Sequence, residues 1–247
     1  MSMLSRGLAV NQLIAMLPHN ARLRILGNCD EVDLTFATNM GDPGARIRHV
    51  HFPLEGFISL VTPSRIPDAL EVGLVGNEGM HGVSLALGVD VFPFHALVQG
   101  TGSALRMSAA AFRREHARTP ELQKALGRYV HVLMSQFAQT GACMRFHRVE
   151  ARLARWLLMT QDRAHADSFQ ITHAFLAWML GVRRASVSDA ALALQSRGLI
   201  EYKRGRMTIL NRRALEVLAC TCYASDRALY QDTMMQRRPA TKRATVR

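Results

Sequence analysis

Arg183 and Arg184 stand side by side two residues after Gly181, and Ser186 follows closely. An arginine can donate two parallel hydrogen bonds to guanine O6 and N7, a discrimination worth about 1–3 kcal/mol. A serine hydroxyl and the free amides of a helix first turn suit phosphate oxygens. A second group of cations, Lys203, Arg204 and Arg206, lies about twenty residues further on. An isolated Arg-Arg pair reads as a solvated pair on an ordinary helix. Two cationic groups separated by one helix and one turn read as a surface for a polyanion.

The intervening residues form the elements such a surface needs. Thr172 is a good N-cap for a helix through Leu180, and Gly181 ends it as a left-handed C-cap residue. A second helix is expected from about Arg183 to Arg197, with Gly198 as its stop. Its residues Val187, Ala190, Ala191 and Leu194 share one stripe and would bury, with Ala185, Ser188 and Asp189 opposite. Arg184 sits at the edge of the stripe and reaches outward. Leu199–Lys203 and Arg206–Leu210 are strand-like runs joined at Arg204-Gly205, so the second cationic group falls at a hairpin tip. Two helices joined at a glycine turn and followed by a hairpin make a winged helix-turn-helix, whose second helix reads base edges with its first turn.

The charge distribution agrees. The 247 residues carry 31 Lys+Arg and 19 Asp+Glu, a net +12. Residues 1–147 hold 13 basic and 11 acidic side chains, residues 148–210 hold 10 and 5, and residues 211–247 hold 8 and 3. The excess therefore sits in the last hundred residues, which points to a polyanionic partner there. Hydrophobic residues at 49% exclude wholesale disorder. No uncharged apolar run is long enough for a transmembrane helix, and residues 1–18 do not read as a secretory signal. Cys29, Cys143, Cys220 and Cys222 are too few and too unevenly spaced for a disulfide scaffold, which fits a reducing cytoplasm.

The rest of the chain divides by pattern. A helix is expected over Leu13–Cys29. His49–Pro53, Gly56–Val61, Leu70–Val75 and Ala96–Val98 are short apolar or alternating runs punctuated by turn residues, as in a β-sandwich or barrel. Thr119-Pro120-Glu121 is a helix start. Leu126, Val130, Leu133, Phe137, Thr140 and Met144 then recur at steps of 4, 3, 4, 3, 4, the seam of a two-helix contact; a dimer seam is the expectation, and a helix packed on its own domain the alternative. Arg212–Met235 can form a last helix, and the basic stretch from Gln236 onward is expected to be disordered.

The run Val149-Glu150-Ala151-Arg152-Leu153-Ala154-Arg155-Trp156-Leu157-Leu158, together with Ile171 through Val187, resembles the DNA-binding domain of the cyclic-AMP receptor protein and fumarate–nitrate regulator (Crp/Fnr) family. The resemblance implies an α+β fold: an N-terminal cyclic-nucleotide-binding-like β-roll (13–117), a long dimerisation helix (118–147), a C-terminal winged helix-turn-helix (148–214), and a final helix with basic tail (215–247). It aligns Arg184 with a base-reading arginine and Arg183, Ser186 and Thr172 with backbone-contacting positions. Ser188 and Asp189 fall where family members vary their base contacts, and Asp189 could accept from cytosine N4.

The sensor half departs from that pattern. A phosphate-binding cassette of the family would carry Arg-Ser or Arg-Thr where this chain has Phe94-His95, and no arginine occurs between Arg65 and Arg106. An unpaired buried phosphate is very costly, so cyclic AMP binding is not expected. One N-terminal cysteine cannot hold the iron–sulfur cluster of the family's oxygen sensors. Cys220 and Cys222, two apart on an expected helix, point to different sides and serve one metal poorly, so no metal and no cofactor are expected. The ten histidines read as ordinary surface or core residues. Gly82–Ala86 resembles a nucleophile elbow without its last glycine, and no catalytic set is evident.

The expected function is a cytoplasmic, homodimeric, sequence-specific regulator of transcription on double-stranded DNA. It is not expected to be an enzyme or to engage a membrane. Its small-molecule effector is unidentified, and RNA polymerase is a candidate further partner. The alternative is a nonspecific RNA- or DNA-binding protein driven by the basic C-terminal half.

Overall fold

The structure is a computed structural model that describes residues 10–63 and 70–235. Two short helices, α1 (Gln12–Ala15) and α2 (His19–Leu26), open the described chain. The single helix expected over Leu13–Cys29 is broken because Pro18 ends one turn and begins the next, with extended backbone at ψ 149°.

Antiparallel strands follow: β1 (Asp30–Leu34), β2 (Asn39–Gly41), β3 (His49–Pro53), β4 (Phe57–Val61), β5 (Glu71–Val75), β6 (His95–Gly100) and β7 (Gly102–Ser108). They form two sheets, β1-β7-β3 and β2-β6-β4-β5, making the β-roll. β3, β4, β5 and β6 are the strands the apolar runs predict. β1, β2 and β7 escape that reading. β1 reads Asp-Glu-Val-Asp-Leu with only Leu34 buried, because it is a charged edge strand without an apolar face.

β4 is buried along its whole length because both its faces are covered. Ile58 and Leu60 point into the roll with Val75 and Val98. Phe57 and Val61 point the other way, into clusters shared with the C-terminal module.

α3 (Ala109–Arg118) leads to the long α4 (Pro120–Phe146), with Pro120 and Glu121 in its first turn. α5 (Val149–Ala164), β8 (Ser168–Gln170), α6 (His173–Leu180), α7 (Arg184–Ser196), β9 (Ile200–Lys203) and β10 (Arg206–Ile209) form the winged helix-turn-helix. β8 joins the wing as a third strand, in the order β8-β10-β9. The fold is therefore α+β: a β-roll, a long helix and a C-terminal helix-turn-helix.

Two helices rather than one complete the described chain, α8 (Arg212–Leu218) and α9 (Thr221–Met234). The chain breaks at Ala219 and Cys220, both extended (ψ 147° and 157°), and α9 turns back across α4. Its far end reaches the roll. Tyr230 Oη lies within hydrogen-bond distance of Gln12 Oε1 (3.0 Å) and of the Glu78 carbonyl (3.1 Å), and Met234 is buried in the roll's core. The tail from Gln236 lies outside the described residues.

Several positions of the expected seam on α4 pack within this chain. Leu126 is 0% and Leu133 5% exposed, both within the chain's own β-roll core. Phe137 packs edge-on to Phe94, with ring centroids 5.5 Å apart. Thr140 accepts from Arg155 (3.3 Å), and Val130 and Met144 are half-buried against neighbours in the same chain. The face of α4 left to solvent is one register over: Gly127, His131, Met134, Ala138 and Gly141, again at steps of 4, 3, 4, 3. Met134 is 66% exposed. A heptad spacing marks a helix with a partner, and on α4 the β-roll is the partner of the larger side chains.

Candidate nucleic-acid interface

α6 and α7 are held by local chemistry and a shared core. The Thr172 hydroxyl accepts from the Phe175 amide (3.1 Å), capping α6. Gly181 (φ +60°) ends the helix in the left-handed region, where the Val182 amide returns to the Ala177 carbonyl (3.0 Å). α7 then buries Val187, Ala190, Ala191 and Leu194 against α5 and the wing. Burying that stripe turns Arg183, Arg184, Ala185 and Asp189 to solvent and leaves Ser186 and Ser188 half-exposed.

The wing tip is a two-residue turn with both residues at positive φ, Arg204 (+50°) and Gly205 (+77°). That geometry matches the twist of a hairpin. Lys203, Arg204 and Arg206 are all exposed at this tip. Among the described residues, none of Arg183, Arg184, Lys203, Arg204 and Arg206 is in an ion pair, whereas other arginines of the module are engaged. Arg155 pairs with Asp226 (2.7 Å), Arg163 with Glu78 (2.8 Å) and Arg197 with Glu150 (3.3 Å). Arg152 donates to the Leu180 carbonyl. The basic excess counted from sequence thus resolves into buried structural arginines and an exposed set on α7 and the wing.

Ser188, expected among the base contacts, makes two contacts within the motif. Its hydroxyl donates to the Arg184 carbonyl (3.1 Å) and lies 2.9 Å from His173 Nδ1. It ties α7 to α6. His173, which sequence reasoning missed, stacks on Tyr202 of β9 with centroids 4.2 Å apart and so joins both helices to the wing. Burial, then the nearby Arg184 charge, lowers its pKa, which favours the neutral ring. Leu192 is also missed. It is 66% exposed on the α7 face that carries Asp189 and is an apolar group available to a thymine methyl.

The module is tied to the β-roll by buried polar contacts. Glu71 of β5 accepts from Ser59 Oγ (2.6 Å) and from Trp156 Nε1 of α5 (2.8 Å). Burial pushes the Glu71 carboxyl up to about 7, against the opposing pull of those two hydrogen bonds. Glu78, in the stretch after β5, is taken up by Arg163.

Beside that stretch, a cavity of about 210 Å³ lies between the β-roll and α4. Its walls include Val75, Met80, Val83, Phe94, Leu133 and Phe137, and among the described residues no lysine or arginine lines it. Phe94 thus lies at the cavity, whereas His95 faces outward onto Asp42 (2.9 Å). His81 also borders the cavity. It is buried, with neither ring nitrogen hydrogen-bonded among the described residues, and stacks on Phe92 (4.9 Å).

The remaining chemistry-bearing cluster is one that sequence spacing argued against. Cys220 is not on a helix but caps α9 with extended backbone, so its sulfur and that of Cys222 both turn toward α4. They meet Cys143 and His147 there.

These features define a winged helix-turn-helix protein with an appended β-roll. Residues 151–218 match the family model of the Crp-like helix-turn-helix domain. The c-di-GMP responsive global regulator CLP of Xanthomonas campestris is 15% identical with a TM-score of 0.63, over 78% of this chain and 99% of that one. FixK2 from Bradyrhizobium japonicum is 13% identical with a TM-score of 0.65, over 78% and 98%. A CRP/FNR-family transcriptional regulator from Thermus thermophilus is 21% identical with a TM-score of 0.63, over 77% and 98%. No curated protein matches the chain in sequence. Residues 151–218 therefore carry a Crp-like helix-turn-helix domain, on a fold shared with these regulators. No described helix is long and apolar enough to cross a membrane.

Proposed function

We propose that the protein binds double-stranded DNA as a homodimer and reads sequence by inserting α7 into the major groove. The observation that carries this is the set of exposed cations without ion pairs among the described residues, Arg183, Arg184, Lys203, Arg204 and Arg206, on a helix pair with a shared buried core and its wing. Arg184 is the base reader. Arg183, Ser186 and Thr172 contact the backbone at the groove edge, and Lys203, Arg204 and Arg206 lie over neighbouring phosphates. Asp189 faces the bases beside Arg184. Ser188 is a positioning residue.

The two subunits pair through the exposed face of α4. Gly127, Ala138 and Gly141 would let two helices approach closely around Met134. Two α7 helices then meet successive major grooves about 34 Å apart on an inverted repeat. The effector space is the cavity between the β-roll and α4. Among the described residues its lining offers no cation to a phosphate, so an apolar effector fits it better than cyclic AMP.

Selection of bound sequences from a randomised DNA library at near-physiological salt tests the reading. Enrichment of an inverted repeat is the expected result. Sequence-independent, strongly salt-sensitive binding would overturn it in favour of a charge-driven nucleic-acid binder.

A further inference from the structure

Where α4 ends and α9 begins, four soft or borderline ligands converge. Cys143 and His147 are one turn apart near the end of α4, Cys220 caps α9, and Cys222 lies in its first turn. One ligand atom from each lies within 4.8 Å of every other. Cys143 Sγ is 3.4 Å from Cys220 Sγ, and Cys222 Sγ is 3.4 Å from His147 Nδ1. Around a tetrahedral zinc, with Zn–S about 2.3 Å and Zn–N about 2.0 Å, the ligand-to-ligand edges run about 3.5–3.8 Å. The four atoms therefore need only small shifts to close on one ion.

We propose that Cys143, His147, Cys220 and Cys222 form a Cys3His site for Zn²⁺. Three thiols release their protons to solvent on binding, and the imidazole binds neutral, so the filled site carries one net negative charge. Two independent observations fit that charge. Arg152 is buried at 8% exposure with no carboxylate partner among the described residues, and it lines the same small cavity as Cys143 and Arg155. A buried cation without a counter-charge is costly, and an anionic metal–thiolate centre supplies one. Gln139 Nε2 also donates to Cys222 Sγ (2.9 Å), an outer-shell amide oriented as a ligating thiolate requires. Cys220 and His147 are only half-buried, which leaves an entry path.

Thiolates select zinc or a comparable soft cation over magnesium or calcium. The site bridges α4 to α9 at His147, the extended C-cap of α4, two residues before α5 begins. A bound ion would therefore fix the pose of the helix-turn-helix relative to the long helix, a consequence that rests on the DNA-binding reading. The metal site itself stands apart from that reading.

Cobalt(II) titration of the reduced full-length protein tests the site without any DNA readout. The expected result is thiolate-to-cobalt charge transfer with the intense visible bands of tetrahedral cobalt. It should saturate at about one ion per chain and be displaced by Zn²⁺. Cys222→Ser should weaken binding by at least about tenfold. Gln139→Leu, which leaves all four ligands in place, should weaken it by about tenfold. Should Cys222→Ser fail to fold, His147→Gln should keep the charge-transfer band but shift the visible bands. Absence of charge transfer in the reduced wild type overturns the proposal. So does a spectrum indifferent to Cys222→Ser and His147→Gln together. A Cys143–Cys220 disulfide that forms while the reduced protein binds no cobalt overturns it in favour of a redox pair.

Discussion

On α7 and the wing, Arg183, Arg184, Lys203, Arg204 and Arg206 are exposed and make no ion pair among the described residues, while the cavity of the β-roll is walled by apolar side chains and lacks any described lysine or arginine. Between these regions runs a junction of buried polar groups: the pairs Arg155 with Asp226 and Arg163 with Glu78, and the Glu71 carboxyl hydrogen-bonded to Trp156. The contrast shows how one chain divides its charge. Cations at the surface are available to a polyanion, cations at the junction hold two modules in one pose, and the roll interior excludes them. A surface of the first kind is open to direct test, whereas the cavity must be approached through what it lacks.

The junction should give the largest effect. Arg155→Ala leaves Asp226 buried without its partner and should cost about 3–5 kcal/mol in denaturant unfolding. A loss below about 1 kcal/mol would mean that water reaches the pair and that the junction is looser than its burial indicates.

Glu71 and His81 should separate the junction from the roll by pH. In the folded protein the Glu71 carboxyl holds its proton up to about pH 7, against 4.5 when unfolded. The folded state therefore binds more protons in that window, and this contribution to stability falls as pH rises through it, by up to about 3 kcal/mol. Glu71→Gln should remove the falling component while keeping an acceptor for Trp156. His81 is depressed by burial to about 3. Its contribution is lost in the opposite direction, as pH falls below about 6.5 and the unfolded state takes up the proton. His81→Leu should remove that acid branch. Unfolding midpoints of the two variants against wild type, over a pH range from about 4 to about 8, give each component by difference; identical differences would break the assignment.

At the exposed surface the effects are smaller and of two kinds. Arg184→Ala should lose about 1–3 kcal/mol of discrimination at one base position, whereas Arg204→Ala should weaken all sequences alike and reduce the salt slope by about one. Binding of matched and single-mismatch duplexes over a salt series measures both. An unchanged preference in Arg184→Ala removes the base-reading role. Smallest is Thr172→Ala, which deletes the α6 cap and should cost about 1 kcal/mol of stability without altering sequence preference.

The α7 half of the site was legible because its determinants are local. Thr172, Gly181, the stripe Val187–Ala190–Ala191–Leu194 and the turn at Arg204-Gly205 lie within about forty residues, and capping, helical period and turn chemistry act at that range. Helix breaks at Pro18 and at Ala219–Cys220 were less visible, since a periodic pattern can run through a backbone that turns. β1 was invisible because a charged edge strand carries no apolar alternation.

What the sequence by itself determined, then, is a winged helix-turn-helix with cations on its second helix and wing, following a strand-rich half with no arginine between Arg65 and Arg106. Tertiary structure alone decided which face of α4 is already covered, since a heptad pattern records that a helix has a partner but not whether that partner is its own chain. It decided that Ser188 locks the motif onto His173, a contact fifteen residues long in sequence and 2.9 Å in space. It also decided that Cys143 and His147 meet Cys220 and Cys222. That meeting depends on α9 folding back over α4, and spacing along a chain carries no information about such a return.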